Sequence, residues 1–269
     1  RCVGDLCRGR GADPARGRSL IQLKSAREIE TMAAGGKLLA LTHAHLRAQV
    51  RPGVSTGQLD TIAEEFIRSH EGATPAFKGL YGFPGAICIS VNEEIVHGIP
   101  LARRLLAEGD IVKLDVGVLY HGMFTDAAIT VPVGTIDPTT QRLIDVTERS
   151  LEAGIAQAIP GNHVGDIGQA IQQVVERAGF SVVRELVGHG VGHLPHEDPQ
   201  VPNHGKAKRG TRLQVGLTIA IEPMVNVGGP ATRTLSDKWT VVTLDGTKSA
   251  HAEHTVAVTD DGPRILTGL

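Results

Sequence analysis

Pro52-Gly53-Val54-Ser55-Thr56-Gly57-Gln58-Leu59 returns 108 residues later as Pro160-Gly161-Asn162-His163-Val164-Gly165-Asp166-Ile167, matched at the proline, both glycines and the apolar end. Each copy has the form of a corner between helices: Pro-Gly stops one helix and a polar residue caps the next. Upstream of the first corner, Ser25-Ala26-Arg27-Glu28 is a capping box. Behind it Ile29, Met32, Gly36, Leu39, His43, Leu46 and Val50 fall on the 3-and-4 spacing of one helical stripe. Ser55 and Gln58 cap a second helix carrying Leu59, Ile62 and Phe66, followed by strand-like runs at 86–91, 110–119 and 123–132. Before the second corner Asp137-Pro138 opens a helix through Leu143, Val146 and Ile155; after it a helix is expected over about 166–178, then strands at 181–187, 215–221, 239–244 and 253–258. The order helix, helix, strands therefore occurs twice. It predicts an α+β fold of two related halves, with any site between them drawing side chains from both.

The chain has 269 residues, 41% hydrophobic and 21% charged, the proportions of an ordinary globular protein. Its 27 basic and 29 acidic residues nearly balance, and few residues are aromatic, so neither a nucleic acid nor an anionic membrane is an expected partner. No apolar run reaches the ~18 residues of a membrane span. Cys2, Cys7 and Cys88 form no disulfide framework, which points to a reducing cytoplasm. Residues 1–20 carry five arginines and no apolar periodicity, and read as a basic arm without fixed structure; 21–269 read as one catalytic domain. The arm has no apolar core of a secretory signal.

Four features carry chemistry. In the hairpin Asp110–Val133 a turn centred between Tyr120 and His121 would set Asp115 directly opposite Asp126, β-carbons ~5 Å apart on one face. Two carboxylates so placed need a proton or a cation between them. Gly188-His189-Gly190-Val191-Gly192-His193-Leu194-Pro195-His196-Glu197-Asp198-Pro199 sets three histidines among glycines and prolines, exposing imidazoles to a cavity. Of these, His193 has the weakest claim. Glu222 and Glu253 are single acids next to apolar strands, each requiring a counter-charge. A set of four acids and an imidazole suits paired Mn, Fe, Co or Zn ions rather than a thiolate zinc site.

These motifs are joined by Ile89-Ser90-Val91-Asn92-Glu93-Glu94-Ile95-Val96-His97-Gly98-Ile99-Pro100, Ile221-Glu222-Pro223-Met224-Val225 and Glu253-His254-Thr255. Together, in order and over residues 20 to the end, they resemble the type I methionine aminopeptidase family of M24 metallopeptidases. The resemblance implies a pita-bread fold around a central antiparallel sheet, with two divalent ions, Co, Mn, Fe or Zn, in the cleft between halves. It implies that Asp126 and Glu253 bridge the ions, with His189 and Glu222 on one and Asp115 on the other. A bridging water would attack the scissile carbonyl, with Glu222 as proton acceptor, His196 steadying the oxyanion and His97 contacting the scissile amide or leaving amine. A methionine pocket would be lined by Phe77, Phe83, Cys88 and Trp239, while Leu80 and Pro195 stand where the family leads one to expect aromatic rings. The implied partners are the N-termini of nascent polypeptides near the ribosome, acted on by a monomer.

Two alternatives follow from the same residues. An Xaa-Pro peptidase of the same fold would share the five ligands, although Glu222-Pro223-Met224 and Glu253-His254-Thr255 read like the methionine branch. A non-catalytic homologue binding protein or RNA would have no reason to keep all five ligands and both histidines.

Overall fold

The computed structural model describes residues 21–269; the basic arm and Cys2 and Cys7 lie outside them. The first half begins with helix α1 (Ala26–Arg47), capped as the sequence requires: Ser25 accepts from the Glu28 amide and Glu28 from the Ser25 amide. Helix α2 (Thr56–Arg68) carries the Ser55/Gln58 capping box. Strands β1 (Ala73–Pro75), β2 (Cys88–Val91), β3 (Glu94–Val96), β4 (Ile111–Tyr120) and β5 (Met123–Pro132) follow. The second half repeats the pattern with α3 (Pro138–Ile155), whose N-cap Asp137 accepts from the Thr140 amide, and α4 (Val164–Arg177). Its strands are β6 (Ser181–Val182), β7 (Gly188–Gly190), β8 (Glu197–Val201), β9 (Thr218–Ile221), β10 (Met224–Asn226), β11 (Thr232–Thr234), β12 (Val241–Thr243), β13 (Ser249–His251), β14 (His254–Thr259) and β15 (Gly262–Ile265). The run expected over 181–187 shrinks to the two residues of β6. No described helix is long and apolar enough to cross a membrane.

The two corners that open the sequence are held by the same backbone bonds. Gly53 donates to Leu106 and Leu106 to Val54; Gly161 donates to Leu213 and Leu213 to Asn162. Ser55 bridges Leu105 as His163 bridges Arg212. Each half has its own core. One gathers Leu39, Leu59, Ile87, Val116 and Val131 under α1 and α2; the other gathers Leu143, Ile167, Ile171, Ile219 and Val256 under α3 and α4.

In the first sheet β4 pairs with β1, β2 and β5; the largest sheet in the second half runs β15-β14-β9-β7-β8. The halves are joined where β5 meets the start of β14. Glu253 N–H donates to Ala128 O at 2.9 Å, and the Thr255 hydroxyl, flanking Glu253, donates to Asp126 O at 2.8 Å and accepts its N–H at 2.9 Å. That seam sets Asp126 and Glu253 side by side.

The hairpin register corrects one expectation. Asp126 pairs with Gly117, and Asp115 with Ala128, so the two acids are diagonal neighbours, not direct opposites. His121 and Gly122 both have positive φ, 46° and 85°, and make a two-residue turn of the kind that matches strand twist. This moves the turn centre to between His121 and Gly122. Because the shift is by two residues, both acids stay on one face.

Candidate metal centre

Strands from both halves bring the predicted side chains into one cleft. It is lined by Phe77, Leu80, Tyr81, Phe83, Cys88, His97, Asp115, Asp126, His189, His196, Glu222, Trp239 and Glu253. Every site residue expected from sequence is among them. Pro195 is not, and His193 instead meets Glu28, Nε2 to Oε1 at 2.7 Å.

The floor is acidic and buried. Asp115, Asp126 and Glu253 are 9%, 6% and 3% exposed, and Asp115 Oδ1, Asp126 Oδ1 and Glu253 Oε1 are buried without a hydrogen-bond partner. Burial drives the pKa of Asp115, Asp126, Glu222 and Glu253 upward; for Asp126 the charges of Asp115 and Glu222 add to the rise, and for Glu253 that of Asp126. Four such acids cannot ionise together in the absence of cations. His189 stands at their edge. Its Nδ1 lies 2.8 Å from Gly190 O, which fixes the proton there and leaves the Nε2 lone pair free, 3.6 Å from Glu222 Oε1. A ring nitrogen oriented in this way by a backbone carbonyl is the usual arrangement of a metal-bound histidine. Ligand atoms of Asp126, His189 and Glu253 all lie within 4.8 Å of one another. The donor set and its unpaired oxygens fit hard divalent ions.

Two further imidazoles flank the acids. His97 follows β3 in a left-handed conformation, φ 58°, held because Gly98 N–H bonds Ser90 Oγ and Gly98 O accepts from Ile89. The ring of His196 lies 4.5 Å from that of His189. Burial pulls the pKa of His97 down to about 4 and that of His196 to about 2, so both are neutral near pH 7.

Beside this polar floor lies an apolar wall. Phe77, Phe83 and Cys88 are buried together, with Leu80, Ile99 and Trp239 packed against them, and the Phe83 and Trp239 rings meet edge to face at 5.0 Å. Asp60 holds the entry to β2 by accepting from the amides of Ala86 and Ile87.

Two residues escaped the sequence reading. Tyr81, 52% exposed with φ 51°, lines the cleft and puts its ring 6.3 Å from His196, supplying an aromatic that Leu80 and Pro195 lack. Its exposure and the neighbouring glycines gave no signal in sequence. His251 is 1% exposed, with neither ring nitrogen bonded and Nε2 3.8 Å from Glu222 Oε2 and 3.9 Å from Glu253 Oε2. Its place two residues before Glu253, across the short link from β13 to β14, was the available sign.

Known proteins are similar to this chain in sequence and fold. A family model, metallopeptidase family M24, matches residues 30–260. Methionine aminopeptidase 1 of Bacillus subtilis is 51% identical over 248 residues, covering 92% of this chain and 99% of its own. The crystal structure of methionine aminopeptidase from Thermotoga maritima superposes with a TM-score of 0.91 at 44% identity, over 93% of this chain and all of that one. An Xaa-Pro dipeptidase from Bacillus anthracis, 20% identical with a TM-score of 0.75 over 92% of this chain and 62% of that chain, shares the fold.

Proposed function

Since this chain belongs to metallopeptidase family M24, we propose that it is a methionyl aminopeptidase, removing the initiator methionine from nascent polypeptides whose second residue is small. The observation that carries this reading is a cluster of buried, unpaired carboxylate oxygens beside an apolar pocket of aromatic rings and a thiol. Asp115, Asp126, His189, Glu222 and Glu253 would hold two divalent ions, Mn, Fe, Co or Zn. Ions bound there supply Lewis-acid polarisation of the scissile carbonyl and acidify water near neutral pH.

The side chains do the rest. Glu222 takes the proton of the water that adds to the methionyl carbonyl carbon, and returns it to the amine nitrogen as the peptide C–N bond breaks. His196, kept neutral by burial, donates a hydrogen bond to the carbonyl oxygen as negative charge builds there. His97 contacts the departing amine side. Phe77, Phe83, Cys88 and Trp239 receive the methionine side chain, whose thioether is attracted to ring edges. Tyr81 and Leu80 close the outer side of that pocket. We further infer that the protein acts as a monomer in the cytoplasm on emerging N-termini near the ribosome, without a nucleic-acid or membrane partner.

Initial rates on Met-Ala-Ser, Leu-Ala-Ser and Ala-Pro-Ser, with metal-free protein reloaded with Mn or Co, test the reading. Cleavage of Met-Ala-Ser in strong preference to the others is expected. Preference for leucine or for the proline peptide overturns the methionine assignment, and absence of cleavage by metal-loaded protein overturns the peptidase reading.

A further inference from the structure

We propose that Lys24 is a positioning residue, whose buried ion pair with Glu197 clamps the 191–197 loop and thereby sets His196 over the cleft. The inference rests on the role given above to His196. Lys24 lies just before α1, far in sequence from the cleft, yet its side chain is fully buried and its ammonium is paired with Glu197, whose side chain is 6% exposed. The same ammonium donates to Gln22 O at 3.0 Å, and the Lys24 amide donates to Gly216 O at 2.7 Å, so the base of the side chain is fixed to the second half.

Glu197 transmits that hold. It directly follows His196, and its second oxygen accepts the Leu194 amide at 2.9 Å, so one carboxylate ties both ends of the turn that presents the histidine. The stem of Lys24 also runs beneath Gly192, where a β-carbon would lie 2.3 Å from its Cε, so the glycine lets the loop lie directly over the paired lysine. The start of the loop is anchored separately, by buried Val191 and by the Phe124 amide on Gly192 O, and His193 meets Glu28, but its tip at Leu194 is 57% exposed and the stretch that carries His196 is tied down by Glu197. A buried ion pair adds little net stability over apolar residues of the same volume, because desolvation offsets attraction. What this pair supplies is a defined direction for the loop.

The test compares Lys24→Met, Lys24→Arg and Glu197→Gln in the metal-loaded protein. Amide hydrogen exchange over 191–197 is read beside kcat and KM on Met-Ala-Ser and bound metal by elemental analysis. Lys24→Met should speed exchange at Leu194 and its neighbours while β9 and β14 stay protected. It should lower kcat roughly 100-fold, the scale of a 1 Å misplacement, with KM and metal content unchanged. Lys24→Arg, which keeps the charge, should recover most of the rate. Unchanged exchange, or a loosened loop with normal kcat, overturns the proposal. If Lys24→Met does not fold, Glu197→Gln decides, since it keeps volume and an acceptor for Leu194 but removes the charge. A wild-type protein that cleaves no methionyl peptide refutes the function of the cleft, while the exchange data still judge the clamp.

Discussion

A carboxylate 6% exposed with one oxygen unpaired, as Asp126 is, has no means of remaining ionised by itself. Replacing it with alanine should therefore abolish metal retention and turnover together, measured by elemental analysis after gel filtration and by peptide cleavage. Turnover near normal in Asp126→Ala would remove it from the centre. His196→Ala should behave differently: kcat lower by about 100- to 1,000-fold, the effect of losing an oxyanion donor, with metal content intact. Loss of metal in that variant would make His196 a ligand. At this scale the sequence was informative where chemistry is anomalous. An acid beside an apolar strand, or a histidine between glycines, cannot be explained by packing. His251 was not legible for the opposite reason: flanked by Ala250 and Ala252 in a buried strand, it looks like a core histidine until β13 sets it beside Glu222 and Glu253.

Helix starts were readable to within two residues because their caps are local, Ser25 with Glu28, Ser55 with Gln58, Asp137 with Thr140, whereas the first helix stops at Arg47, short of the apolar stripe that runs on to Val50. Strands were less so. β3, β10 and β13 are three residues each, too short for alternation to register, and their pairing partners are remote in sequence. The hairpin register depended on whether a histidine adopts positive φ at position 121, which residue type alone does not decide. The corrected register has its own consequence. Gly117, opposite Asp126, faces Phe77, and a β-carbon there would lie 2.6 Å from the Phe77 ring and 2.9 Å from Ala76 Cβ. Gly117→Ala should push Phe77 into the pocket, raising KM for Met-Ala-Ser roughly 10-fold, the worth of a methylene-sized misfit, and costing about 1–3 kcal/mol in urea unfolding. Unaltered KM would show that Phe77 does not bound the side-chain pocket.

For the molecule as a whole, pH sets two opposing trends. Burial holds His43, His97, His196 and His251 neutral, with pKa values lowered from 6.5 to about 3, 4, 2 and 3. Below pH ~6.5 the unfolded chain takes up protons on these groups and the folded chain does not. The stability they contribute is thus complete above that pH and is lost on acidification toward pH ~4, at about 1.4 kcal/mol per pH unit for each. The raised pKa of Asp115, Asp126, Glu222 and Glu253 acts with the other sign in metal-free protein, where protons kept by the fold but released by the unfolded chain above pH ~4 favour low pH. Divalent ions that keep these acids ionised remove the second trend. Urea unfolding of metal-saturated protein should therefore show stability climbing from pH 5 to about 6.5 and levelling off beyond it, and metal-free protein should show a flatter profile that turns down at the alkaline end. Parallel profiles would mean the four acids do not hold protons as a group.

The five residues proposed to hold metal are divided along the chain: Asp115 and Asp126 precede the second corner, and His189, Glu222 and Glu253 follow it. Translation delivers them in that order. A growing chain that has completed its first core carries two carboxylates and no imidazole donor, and Glu253, which pairs with Ala128 across the seam, emerges only as β14 is made. On the ligand set proposed above, metal capture would come only after that last strand is in place, among the final events of this protein's biogenesis.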